Sequence, residues 1–337
     1  MNVISSSNLL PGGLIGRAAE TAAIRRAISK SLLVTVTGLP GVGKTAAAIA
    51  AAAGGGGRFP DGAWLIGLDA LRDEALLPHT IAAALALPDT FGASPLEVLI
   101  GELRDKHLLL LLDTCEHMVG ACASIVAALR ESCPGVCILA TSREPLRVPG
   151  EETIAIRPLT LSDAVHLFGR LAMADGSASH GPGQHSTISQ RSLLRAACTK
   201  LDGLPLAIAL AARQLTQTSL DALVADLGSG YDFLSDPDTT VPRHRTLHAA
   251  IGWSHQLCTP AERLLWARLA VFDRPFCIKD GQEVCATTHL SDENIAVGVA
   301  MLAERSILLR EPGEPPRFVM PATIRAYGLA MLSRLTA

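Results

Sequence analysis

Aromatic residues are scarce in this 337-residue chain, at 4%, and charged residues make up only 18%. With hydrophobic residues at 49%, that shortage of charge excludes an intrinsically disordered chain and leaves material for a sizeable core. The hydrophobic share comes mostly from Ala and Leu, so Ala/Leu-rich helices and short buried strands are expected. No apolar run approaches the roughly 18–20 residues a membrane-spanning helix needs. The most hydrophobic stretches, 46–53 and 108–112, are far shorter. Met1-Asn2-Val3-Ile4-Ser5 has no basic region followed by an apolar segment, so no signal peptide is read. A cytoplasmic protein with no membrane partner is therefore expected. The eight cysteines, Cys115, Cys122, Cys133, Cys137, Cys198, Cys258, Cys277 and Cys285, contain no CxxC pair. Cys133 and Cys137 lack a matching second pair for zinc, and small buried hydrophobes are the expectation. A net charge of −3 offers no general attraction to nucleic acid.

At about 150 residues per domain the length allows two or three domains. Residues 1–15 read as a loose leader rich in Ser, Asn, Pro and Gly, and a helix is expected over 18–30, with Ala22, Ile24, Ala27 and Ile28 on its apolar face. A β-branched run, 32–37, enters a glycine-rich loop directly, and an alanine-rich helix, 46–53, follows until four glycines stop it. Further buried strands are read at 63–68, 107–112 and 136–140, with helices near 76–86 and 96–105 between them. Alternation of this kind implies a parallel sheet with helices on both faces. After Pro158 the strand signal fades. A helix over 161–173 precedes a Gly/Ser/His/Pro stretch, 175–187, read as a flexible loop, and helices follow at 188–200 and 206–215. A polar segment, 235–242, separates these from a last region starting at Arg243. That region shows helices near 247–255, 260–270 and 293–304, a strand pair 307–310 and 317–320, and a final helix, a pattern compatible with a winged helix.

The glycine-rich loop is Gly38-Leu39-Pro40-Gly41-Val42-Gly43-Lys44-Thr45. Between a strand and a helix, this P-loop pattern specifies a phosphate cradle rather than an ordinary turn. Glycines let successive N–H groups turn inward toward phosphate oxygens, and the helix N-terminus adds partial positive charge. Lys44 is expected to bridge the β- and γ-phosphates, and the Thr45 hydroxyl to ligate Mg²⁺. The run ending in Leu112 delivers Asp113 to the C-terminal end of a strand, where ligands sit in an open parallel sheet and where a carboxylate can hold Mg²⁺ through water. ATP or ADP with Mg²⁺ is the expected ligand set. Thr114 follows Asp113 where many P-loop ATPases carry a second acid. Glu116 is the nearest candidate base, with capping of the following helix as the equal alternative, so hydrolysis is expected to be slow.

With these residues in place, the chain resembles the bacterial STAND ATPases of the NB-ARC class, in particular the ATPase modules of LuxR-type and AfsR-like transcriptional regulators. The resemblance runs from about Leu10 to Leu335. Leu14-Ile15-Gly16-Arg17 with Glu20 is similar to the family's entry segment, which implies that Gly16 and Arg17 pack against the adenine. Leu112-Asp113-Thr114-Cys115-Glu116-His117 is similar to LDNCEH, with Thr114 replacing Asn. Ala140-Thr141-Ser142-Arg143-Glu144-Pro145-Leu146 looks like the sensor segment, which implies that Arg143 reaches the γ-phosphate. Leu201-Asp202-Gly203-Leu204-Pro205-Leu206-Ala207 matches the GLPLA motif and implies that Pro205 lies against the base. Arg243-His244-Arg245-Thr246-Leu247, Trp253-Ser254 and Pro260-Ala261-Glu262-Arg263 resemble the start of the winged-helix region. Two stretches depart from the pattern: Met320-Pro321-Ala322-Thr323-Ile324-Arg325 stands where the family carries polar residues, including a histidine that senses ADP, and Asp273-Arg274-Pro275 replaces a glycine turn.

The resemblance implies an α/β P-loop NTPase domain over 1–158, an α-helical lid over 159–238 and a winged-helix-like domain over 239–337. It implies a nucleotide-controlled switch in bacterial transcription, acting through self-association or a protein partner, with DNA reached only through a separate domain. Two other readings remain beside it: an ATPase whose turnover is its main activity, and direct DNA binding through Arg243, His244, Arg245, Arg263 and Arg268. For those five cations a solvated face is the alternative.

Overall fold

The computed structural model describes residues 3–4, 14–54, 57–87, 94–174, 188–239, 241–287 and 290–336. The leader and the stretch 175–187, read as loose segments, lie almost wholly outside the described residues. The chain divides into two compact units, one formed by Met1–Gly38 with Lys44–Ile156 and the other by Leu39–Gly43 with Arg157–Ala337.

The first unit is built on a five-stranded parallel sheet. Its strands are β1 (Leu33–Gly38), β2 (Ala63–Gly67), β3 (Leu109–Asp113), β4 (Cys137–Thr141) and β5 (Glu152–Ile156), in the spatial order β2-β3-β4-β1-β5. The central strands β1, β3 and β4 are buried at every residue. That explains why Leu108–Leu112 is continuously apolar rather than alternating: side chains of period 2 must be apolar on both faces when both are covered. Leu110 and Leu112 join the cluster formed with α3 (Leu77–Ala84), α4 (Pro95–Leu103) and α5 (Val119–Ser132). The intervening Leu109 and Leu111, fully buried but outside that cluster, point to the opposite face. There α1 (Ala18–Lys30) and α2 (Lys44–Ala53) pack against each other and the sheet. Each buried leucine contributes about 1.5–3 kcal/mol of transfer free energy.

Helix α1 has the bounds its periodicity specifies, and Ile24, Ala27 and Ile28 form its buried face. Ala22, placed on that face from sequence, is only partly buried. Strand β5, not read from sequence, is the sheet edge beside β1 and exposes Glu152, Thr153 and Ala155.

The second unit contains the helices α6 (Leu161–Ala174), α7 (Ile188–Lys200), α8 (Pro205–Gln214), α9 (Leu220–Ser229), α10 (Leu247–Gln256), α11 (Pro260–Leu269), α12 (Ile278–Cys285), α13 (Asp292–Glu304) and α14 (Ala322–Thr336). An antiparallel ribbon of β6 (Leu309–Glu311) and β7 (Arg317–Val319) lies between α13 and α14 in sequence. Helices α9 and α12, ten and eight residues long, were not read from sequence. Trp266, with no exposed surface, is the large aromatic of this core, its ring 5.7 Å from that of Tyr327; Trp253 is only partly buried. Seven cysteines are buried and Cys277 is half-buried, and all eight are free thiols.

A solvated cationic face does not describe Arg263 and Arg268. The Arg263 guanidinium donates to the carbonyls of His255, Cys258 and Gln256, satisfying the end of α10, and Arg268 donates to the carbonyl of Cys285. Carbonyl groups left over at helix ends draw these two cations in.

Candidate nucleotide-binding site

Strand β1 ends at Gly38 and α2 begins at Lys44, leaving Leu39–Gly43 as the connection. Gly41 and Gly43 have φ of 71° and 94°, in the region open to glycine and strained for L side chains. Gly41 is constrained by space as well: a Cβ there would lie 2.8 Å from Cβ of Leu206. Pro40 and Val42 complete the loop, with the Val42 N–H donating to the Leu39 carbonyl at 3.3 Å. Lys44 folds back over the loop, its Nζ donating to the Gly38 carbonyl at 2.9 Å.

The sheet order positions the remaining groups. Because β4 lies between β1 and β3, the residue ending β4 stands between the P-loop and the residue ending β3. These are Thr141 and Asp113. The Asp113 Oδ1 accepts from Thr45 Oγ1 and from Thr141 Oγ1, both at 2.6 Å. Thr141 Oγ1 also accepts the Thr114 N–H at 2.9 Å, and Thr114 Oγ1 donates to Asp113 Oδ2 at 3.4 Å. Thr45 and Asp113, 68 residues apart, are thus in direct contact at the C-terminal edge of the sheet. Thr141 is the functional residue that sequence reasoning passed over. It lay within a quoted motif, but its task follows from strand order.

Thr114 has φ of 71°, rare for a β-branched residue and costing on the order of 1–3 kcal/mol. Asn tolerates this conformation far better, which gives a backbone reason for the Asn that stands here in the resembling family.

Glu116 and Arg143 form an ion pair, Arg143 Nε donating to Glu116 Oε1 at 3.1 Å, with side-chain exposures of 6% and 7%. Burial pushes the Glu116 carboxyl up, but the charges of Arg143 and Lys44 outweigh it and hold the group below the usual glutamate range. Glu116 therefore carries charge, and it does not cap α5: the N-cap is Met118, with no side-chain capping bond. Arg143 stands two residues beyond β4 and is buried.

Gly16, at φ 66°, and Arg17 stand in the turn before α1. Arg17 is 4% exposed and pairs with Glu20 at 2.8 Å. Pro205 is the first residue of α8, and its Cγ would lie 3.9 Å from a Cβ placed on Gly43. The next residue, Leu206, donates its N–H to the Gly41 carbonyl at 3.1 Å. Residues Leu39–Gly43 and α8 belong to the same compact unit.

Mg²⁺ and a nucleotide fit what is present. A hydroxyl and a carboxylate in contact beside a phosphate cradle are the sparse protein ligand set Mg²⁺ takes when phosphates and water complete its shell. Among the described residues no cluster of three or more His, Cys, Asp or Glu offers an all-protein metal cage. No described helix is long and apolar enough to cross a membrane.

No protein-family model matches the chain. Among curated proteins it is 35% identical over 324 residues to the uncharacterized protein Rv0894 of Mycobacterium tuberculosis, covering 95% of this chain and 81% of that protein. It is 32% identical over 312 residues to Rv0890c of the same organism, which carries the name of an HTH-type transcriptional regulator; 92% of this chain and 35% of that protein are covered. The regulatory protein AfsR of Streptomyces griseus is 28% identical over 316 residues, 89% of this chain and 30% of its own length. The chain thus spans about a third of the length of these named regulators. Among solved structures, the Walker-type ATPase PABY2304 of Pyrococcus abyssi superposes with a TM-score of 0.64 at 13% identity, covering 98% of each chain. The ORC2 protein of Aeropyrum pernix, solved as ADPNP–ADP complexes, superposes with a TM-score of 0.54 at 13% identity, again covering 98% of each chain. The fold is that of a P-loop ATPase: a parallel sheet with helices and a phosphate loop after its first strand.

Proposed function

Because this chain belongs to the same family as the mycobacterial protein Rv0894, we propose that it is an ATP/ADP-binding regulatory switch, of the STAND/NB-ARC type, serving transcriptional control in a bacterium and hydrolysing ATP slowly. The observation that carries this reading is the convergence of Thr45, Thr141 and Asp113 beside the glycine loop. The named regulators similar over most of this chain supply the direction of the output.

The residues divide the work as follows. Backbone N–H groups of Gly41–Thr45 cradle the phosphates, with the N-terminus of α2 behind them. Lys44 leaves the Gly38 carbonyl for the β- and γ-phosphate oxygens. Thr45 supplies a direct ligand oxygen for Mg²⁺, and Asp113, oriented by Thr141, holds it through water. Mg²⁺, when bound, neutralises charge shared between the β- and γ-phosphates. Arg143 reads the γ-phosphate, giving the ATP and ADP states different contacts. By family resemblance Gly16 and Arg17 are assigned to the adenine in the first unit, and Pro205 is assigned to the base in the second. Glu116 pairs with Arg143 through Oε1, and Thr114 stands where a second acid would be. That favours slow turnover.

Residues 1–158 form the nucleotide-binding domain in this reading, 159–238 a helical lid and 239–337 a winged-helix-like domain. Helices α6–α9 support the lid, and α10–α13 with the β6–β7 ribbon support the winged helix. Partners are a second copy or a regulatory protein, and DNA is reached through another domain; the carbonyl-bound state of Arg263 and Arg268 speaks against direct DNA contact.

The test is nucleotide analysis of the purified protein together with steady-state turnover. Bound ADP or ATP that disappears in Lys44→Ala, with turnover well below one per second, is the expected result. Faster turnover abolished by Lys44→Ala would overturn the slow-switch reading, and failure of the wild-type protein to bind either nucleotide would overturn the site itself.

A further inference from the structure

The turn between α7 and α8 holds two distant parts of the second unit at once. Asp202 and Gly203 have φ of 53° and 62°, a left-handed pair in which Asp is among the few tolerated non-glycine residues. The turn is closely held. The Gly203 N–H donates to the Cys198 carbonyl at 3.2 Å, the Leu159 N–H donates to the Gly203 carbonyl at 3.0 Å, and a Cβ on Gly203 would lie 2.5 Å from the Leu159 oxygen.

From this fixed position the Asp202 carboxylate meets the first turn of α14. Oδ1 accepts the Ala322 N–H at 3.0 Å, and Oδ2 accepts both the N–H and the hydroxyl of Thr323, each at 2.7 Å. A carboxylate 120 residues away thereby satisfies amides that a helix start leaves without intrahelical partners. Four residues after Asp202, the Leu206 N–H donates to the Gly41 carbonyl, and the Leu206 side chain fills the space beside Gly41. One short segment, 202–206, grips Leu39–Gly43 at one end and the N-terminus of α14 at the other. Thr323 lies in the very stretch, 320–325, that departs from the resembling family's nucleotide-sensing pattern.

We propose that Asp202 is a positioning residue that couples occupancy of the P-loop to the seating of α14, so that the nucleotide state is transmitted through the 202–206 turn. The proposal rests on the nucleotide-site reading above. Coupling of this kind is reciprocal: if bound nucleotide steadies the start of α14, then a firmly seated α14 slows nucleotide release. Asn at position 202 is close to isosteric but offers one acceptor oxygen instead of two and turns an NH₂ onto an N–H donor.

The experiment uses the full chain with ADP as the probe. Hydrogen exchange of amides 322–325 is followed with and without ADP, and ADP dissociation is followed with a fluorescent analogue. In the wild-type protein ADP slows exchange at 322–325. In Asp202→Asn that protection is lost and ADP dissociates about tenfold faster. Thr323→Val, which removes one of the three bonds, shifts both readouts severalfold in the same direction, and it decides the matter should Asp202→Asn not fold. Wild-type dissociation rates in both variants, or ADP protection persisting in Asp202→Asn, would overturn the coupling while leaving the nucleotide site intact. Absence of ADP binding in the wild-type chain would overturn both, and Lys44→Ala provides that baseline.

Discussion

Replacing Thr141 by Val tests the organisation of the site at its least obvious residue. Thr141 is 1% exposed, and its hydroxyl makes two bonds: it donates to the Asp113 carboxylate at 2.6 Å and accepts the Thr114 N–H at 2.9 Å. Valine keeps the shape and removes both. The bond to a carboxylate contributes about 1.5–3 kcal/mol, and a buried amide deprived of this acceptor costs about 1–3 kcal/mol. Some of each loss is recovered by local adjustment, so a net destabilisation of about 2–4 kcal/mol is expected. Thr141→Ser keeps the hydroxyl and removes one buried methyl, which costs about 0.8 kcal/mol. The assay is hydrogen exchange of amides in β3 and β4 by mass spectrometry under native conditions. At 1.4 kcal/mol per factor of ten, Thr141→Val accelerates exchange there by roughly thirtyfold to several-hundredfold, and Thr141→Ser by only about fourfold. Mg²⁺-dependent nucleotide affinity falls in Thr141→Val as well, because Asp113 loses one of the three hydroxyls that donate to it. Equal exchange rates in the Val and Ser variants, with unchanged Mg²⁺ dependence, would refute the claim that Thr141 organises Asp113.

Lys44→Ala removes the charge proposed to meet the β- and γ-phosphates and should abolish nucleotide retention while leaving the circular dichroism spectrum unchanged. Gly41→Ala places a Cβ at φ 71° and 2.8 Å from Leu206 Cβ, so it should destabilise by more than the roughly 1–2 kcal/mol of the conformational term alone and weaken nucleotide binding, both readable by thermal melting with and without ADP. For Glu116 the direction of the pH effect follows from its lowered carboxyl. A group held below its ordinary value of 4.5 stabilises the fold fully above about that pH and loses the contribution as pH falls through its lower folded value. The wild-type protein should therefore lose stability in acid more steeply than Glu116→Gln, measured as urea midpoints between neutral pH and pH 3; parallel curves would show that the Arg143 pair contributes nothing.

Much of the first unit was legible because its signals are local. The P-loop is eight consecutive residues, α1 is one amphipathic period, and the apolar run ending at Asp113 announces a strand buried on both faces. The domain bounds and nucleotide-contact roles drawn from resemblance remain proposals. Strand β5 was illegible because it exposes most of its side chains at a sheet edge, whereas length does not separate the unread α9 and α12 from α8 and α3, which have the same ten and eight residues. The sequence alone marked Glu116 as base or cap, whereas the fold pairs it with Arg143, 27 residues on.

The division between the two sources of information follows contact distance along the chain. Residues 38–45 carried the phosphate-cradle reading by themselves, since backbone conformation and helix dipole are local properties. Only tertiary structure decided which groups converge on it: β4 had to lie between β1 and β3 before Thr141 could orient Asp113 toward Thr45, and the 202–206 turn had to meet α14 before Asp202 could hold Thr323. Hydrogen bonds reach about 3 Å, so partners separated by 28 or 121 residues are chosen by strand order and helix packing, which no local pattern encodes.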